Sequence, residues 1–243
     1  MEGENIHDKL QDFLGNLPES YNILEEQIPI ELQMKYFEYS KRIKQQIEDE
    51  KEMVLENTGI LFDEQTDIEQ KKDILVKLAS IDEAEAFRAI EKYLREAEEE
   101  LKYWALLALQ ESKMLLESSL LDENRVFIST GLGGKGSKLR YFIVLITKED
   151  KPFSDVQQKI IKNEFEFVLS KYQGEIEEID FEGPISTLLT LVPIEGSIKE
   201  IFMHAIQECN QYGDFIKDNF IITNVKKLSP GEIQSFIKKN PDL

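Results

Sequence analysis

Cysteine and histidine are nearly absent from this chain, and an excess of positive charge is missing altogether. The 243 residues contain one cysteine, Cys209, and two histidines, His7 and His204. A single cysteine cannot form an internal disulfide, which excludes a disulfide-stapled scaffold. Three such residues so far apart show no zinc-ligand spacing and no Ser/Cys–His pairing, so neither a metal nor a catalytic residue is expected from them. No apolar run approaches the ~20 residues of a membrane-spanning helix, so no membrane partner is expected. The stretch from Met1 to Asp8 is acidic and lacks an apolar core, so no secretory leader is expected and a cytoplasmic location is the default.

What the chain has in quantity is acid. There are 48 Asp and Glu against 29 Lys and Arg, for a formal net charge of −19. The excess is lopsided: residues 1–123 hold 31 of the acids and 14 of the bases, residues 124–243 hold 17 and 15. Such a surface repels nucleic acid and anionic lipid at long range, because phosphate binding runs through Lys and Arg. The acids read either as solvated helix faces or as a surface for a basic partner.

The pattern of the chain changes near residue 122. Before it, apolar residues recur at helical steps of three and four. Short helices are expected at Ile6–Leu14 and after Pro18, the latter with Tyr21, Leu24 and Ile28 on one side. A longer one starts at Pro29 with Leu32, Tyr36, Tyr39, Ile43 and Ile47 on its stripe. Thr66 and Glu69 form a capping-box pattern for the next helix, and Asp82 is placed to cap another. The run Trp104–Leu109 is apolar nearly all round, as in a helix packed on both sides.

After residue 122 come β-rich runs at 125–130, 139–147, 175–181, 185–192 and 219–225, separated by amphipathic helices beginning near Ser154 and Ser197. A short helix is expected over 230–238. Tyr141 to Ile146 is continuously apolar and should be a central, covered strand. Ile198, Ile201, Phe202, Ala205, Ile206 and Cys209 lie on one helix face, which makes Cys209 a buried small hydrophobe and leaves His204 on the polar side. The expected architecture is α+β in two units. Residues 1–121 form an all-helical domain, and residues 122–243 an α/β sandwich of order β-β-α-β-β-α-β.

Two resemblances carry this further. Leu75, Leu78, Ala79, Ile81, Asp82 and Phe87, followed by Leu101, Ala105, Ala108 and Leu109, are similar to the helix-pair rhythm of HEAT or armadillo repeats over residues 66–120. That resemblance implies an interaction scaffold; a plain helical bundle is the alternative. Residues 125–225, through the β-α-β-β-α-β portion that starts at 139, resemble a ferredoxin-like split βαβ unit.

One motif invites a ligand. Gly131, Gly133, Gly134, Lys135, Gly136, Ser137, Lys138 and Arg140 combine glycines, which let successive N–H groups turn inward as an anion nest, with positive charge. It is not a P-loop: Ser137 follows Gly136 where a lysine is required, and the segment leads into a strand. The structural reading is a hairpin loop with glycines at positive φ.

The functional expectation is a non-enzymatic scaffold or adaptor without cofactor. It would bind a protein partner through the helical surface or an exposed sheet edge, where a homodimer could also form. The alternatives are a phosphate-ligand or nucleic-acid regulator using residues 131–140, and an enzyme whose site spacing does not reveal.

Overall fold

The computed structural model describes residues 21–44, 47, 50–123 and 125–240. The helix expected over Ile6–Leu14 lies outside them. The chain divides into two compact units: Ile28–Ile128, preceded by the segment ending at Leu24, and Ser129–Leu243 together with Glu25–Gln27. The division falls at residue 128 rather than 121.

In the first unit, strand β1 (Tyr21–Ile23) precedes helices α1 (Ile30–Ile43), α2 (Lys51–Glu56), α3 (Ile68–Ala79), α4 (Ala84–Glu96) and α5 (Glu99–Leu121), and strand β2 (Val126–Ile128) follows. Pro29 stands at the N-cap of α1 with extended φ and ψ. The α3 cap is Asp67, whose carboxylate accepts the Glu69 N–H, so the cap falls one residue after the expected Thr66 and is a single bond rather than a capping box. Glu83, not Asp82, precedes α4. As the apolar run predicts, α5 packs against both α3 and α4 and buries Trp104, Ala105, Leu107 and Ala108.

Three expectations are corrected here. Tyr21–Ile23 is a strand, not part of a helix, and it pairs in parallel with Val126–Ile128. The run at 125–130 therefore does not join the α/β sheet, and the first unit is not wholly helical. Pairing between segments about a hundred residues apart leaves no trace in local periodicity.

The second unit runs β3 (Gly134–Lys135), β4 (Lys138–Ile146), α6 (Asp155–Lys171), β5 (Glu175–Glu182), β6 (Ile185–Pro193), α7 (Ile198–Asn210), β7 (Ile221–Thr223) and α8 (Pro230–Lys239). The sheet is antiparallel. β4 lies at its centre between β6 and β7, β3 pairs with the start of β4, and β5 follows β6 at the edge. Alternation divides the β4 side chains between two cores. Ile143 and Leu145 pack with Leu188 and Val192 under α6 and α7, where Cys209 is fully buried. Phe142 and Val144 pack with Leu189, Ile221 and Ile233 of α8 on the opposite face. Capping boxes at Ser154–Gln157 and Ser229–Glu232 start α6 and α8. Lys226 and Ser229 hold the Glu232 carboxyl down at about 2.

Candidate functional site

The glycine-rich segment forms a tight hairpin. Gly134 pairs with Leu139 and Lys135 with Lys138, leaving Gly136 and Ser137 as a two-residue turn. Gly136 sits first in that turn with φ 59°, a backbone most side chains resist. Gly133 also has positive φ, and its α-carbon faces the backbone of Glu25 and Glu26 so closely that a Cβ would lie 2.4 Å from the Glu25 carbonyl oxygen.

The expected anion nest is occupied from within. The Gly136 N–H donates to the Glu25 carboxylate at 3.0 Å. The Leu132 N–H donates to the Asn224 carbonyl and the Gly133 N–H to that of Thr130. Arg140 is equally committed: Nη1 donates to the carbonyls of Glu25 (2.7 Å) and Gly134 (2.9 Å), while Nε and Nη2 grip Glu177. Lys138 reaches Glu175 at 3.4 Å. Of the eight residues singled out in the motif, the structure brings Gly133, Gly136 and Arg140 together on the Glu25–Gln27 segment. Gly131 packs on the Val225 carbonyl, and Lys135 is exposed with no ion pair among the described residues.

A second feature escaped the sequence. On the sheet face opposite α6 and α7, helix α8 covers only part of the strands. Beside it lies a groove of about 890 Å3. Phe142, Ile185 and Leu189 form its floor, Ile233 and Ile237 one wall, and the β5 carboxylates Glu178, Asp180 and Glu182 the other. The register explains the acidic row: Glu178, Asp180 and Glu182 stand opposite Leu189, Thr187 and Ile185 of β6, so all six side chains share a face. A bulge between Ile176 and Glu178 shifts the alternation and puts Glu177 on this face as well, within reach of Arg140. The signal in the sequence is the run Glu-Ile-Glu-Glu-Ile-Asp-Phe-Glu itself, with acids recurring along an expected strand.

Other polar and titratable residues make local contacts. His204 lies 3.3 Å from Glu208 one turn on, at the surface. Burial and the nearby Glu164 push the Cys209 thiol up to about 12. Glu111 is buried and accepts from the Tyr36 hydroxyl (2.7 Å), the Ser40 hydroxyl (2.6 Å) and Lys44 Nζ (2.6 Å). Burial, reinforced by that carboxylate, raises the Tyr36 phenol well above its usual value. Among the described residues no three His, Cys, Asp or Glu side chains converge to hold a metal ion. No helix among them is long and apolar enough to cross a membrane.

The sequence matches no protein-family profile and no curated protein. Solved structures do match. One is a candidate transposase from Deinococcus radiodurans R1, with 15% identity and a TM-score of 0.37 over 44% of this chain and 93% of that one. A likeness at that level carries no argument about activity.

Proposed function

We propose that this protein is a non-enzymatic interaction scaffold or adaptor whose second unit carries the binding surface. The observation that supports this most is the β5 edge. Among the described residues the strand pairs on one side only, and an open groove with an apolar floor and a charged rim runs beside it. An edge strand offers unpaired backbone N–H and C=O groups to another chain. The second unit reads as ferredoxin-like, supported by the strand order β7–β4–β6–β5, antiparallel throughout, with two helices on one face. For the first unit a small bundle is favoured over a HEAT-like stack, because α1 packs against both α3 and α5. The single, buried Cys209 suits a cytoplasmic setting.

The test is site-specific photo-crosslinking in lysate of the native organism, with the crosslinker at Asp180 in one sample and at Lys135 in another. A discrete protein adduct at Asp180 supports the scaffold reading. Nucleic acid or protein captured only at Lys135 transfers the function to the hairpin loop, and no adduct at either position removes the interaction reading.

A further inference from the structure

We propose that the β5 edge receives an extended segment of a partner protein in which basic and apolar residues alternate, added to the sheet as a further strand. This rests on the interaction reading above and names the partner's chemistry.

Three observations specify the occupant. First, β5 is a sheet edge, and neighbouring antiparallel strands place directly opposed side chains on the same face. Successive residues of an added strand would face alternately the groove and the α6 side. Second, the groove side of β5 is acidic. Glu175, Glu177 and Glu178 are balanced by Lys138, Arg140 and Lys227, but Asp180 and Glu182 are exposed and have no ion pair among the described residues. Cations two residues apart on the incoming strand would meet these two carboxylates. Third, the α6 side of β5 presents Ile176, Ile179 and Phe181, each partly buried against the helix-covered core. The intervening residues of the incoming strand extend that apolar surface.

A second copy of this chain is a poor occupant. Antiparallel self-pairing of β5 through its middle sets Glu175 against Glu182 and Glu177 against Asp180, and shifting the register by one brings Glu178 against itself or Asp180. Like charges directly opposed destabilise a strand pair, so the acids that invite a basic strand also guard the edge against self-association.

The test uses the full chain and a fluorescent peptide alternating Lys and Val, titrated by anisotropy, beside a matched peptide alternating Glu and Val. Amide hydrogen exchange is read across β5. The expected result is saturable binding of the Lys peptide only, weakened by salt, with β5 amides gaining protection. The double variant Asp180→Lys, Glu182→Lys should bind about tenfold or more weaker. The neutral pair Asp180→Asn, Glu182→Gln should fall between, and both variants are surface changes that leave the fold intact. Equal binding of both peptides, binding indifferent to the charge reversal, or no gain of protection in β5 each overturns the proposal. Should the lysate crosslink at Asp180 succeed while the Lys peptide fails, the interaction reading stands and the basic-strand assignment falls.

Discussion

The Arg140 guanidinium clasps the Glu177 carboxylate in a two-pronged pair, Nε to Oε2 at 2.6 Å and Nη2 to Oε1 at 3.1 Å. The pairing spans β4 and β5, which are not neighbours in the sheet. It leaves Nη1 free to hold the Glu25 carbonyl. A side chain with this many partners acts as a structural clamp rather than a free ligand for phosphate.

Replacing that clamp therefore costs stability. Arg140→Ala should lower the unfolding free energy by about 1–3 kcal/mol, since the Arg140 side chain is largely covered and the lost bonds are charge-assisted. Arg140→Lys should recover little, because an ammonium cannot reproduce the planar fork. Urea denaturation of the three proteins measures this; a fully stable Arg140→Lys would refute the bidentate account.

Gly133 and Gly136 separate two effects. Both have positive φ, but a Cβ at Gly136 meets nothing within 4 Å, whereas at Gly133 it collides with the Glu25 and Glu26 carbonyls. Gly136→Ala should cost about 1–2 kcal/mol from backbone strain alone. Gly133→Ala should cost clearly more and displace Glu25, detectable as a shifted Glu25 amide resonance that Gly136→Ala leaves closer to wild type.

The buried Glu111 hub is strongly coupled. Glu111→Ala should destabilise by about 3–5 kcal/mol by orphaning two hydroxyls and removing the Lys44 partner, while Tyr36→Phe costs about 1 kcal/mol. The two losses should not add in a double-mutant cycle.

The Tyr36 phenol also sets an alkaline limit. Its folded-state pKa is raised above the ordinary value of about 10, so the native state holds this proton more tightly than the unfolded chain. Stability from this group is complete below about pH 10 and declines as pH rises towards the folded value. Melting curves across that range should fall less steeply for Tyr36→Phe than for wild type.

Cys209 should be chemically silent until the second unit opens. With its thiol fully buried and its pKa near 12, native protein should resist alkylation at neutral pH. Labelling in increasing urea should track unfolding of α7; immediate labelling without denaturant contradicts the packing described.

Much of the fold is legible in local pattern. The stripe through Ile198, Phe202 and Cys209 predicts α7 with its buried face, the unbroken run Tyr141–Ile146 predicts a central strand, and Ser154 marks where α6 begins. The candidate site is less legible. The glycine motif is visible as a hairpin, but its internal anion, Glu25, lies more than a hundred residues away. The groove could not be read at all, because its floor comes from β4 and β6 and its wall from α8.

By itself the amino-acid sequence determined the periodicity of the long helices and of the central strands of the second unit, the acidic balance of the chain and the composition of β5. These depend on neighbours within a few residues, where steric and hydrophobic preferences act directly. Only the tertiary structure decided that Tyr21–Ile23 pairs with Val126–Ile128, that Glu25 fills the glycine turn, and that β5 is left at an edge with its acids beside an apolar groove. Those outcomes depend on which distant surfaces bury one another, and the free energy of that choice is shared across whole cores rather than written in any one segment.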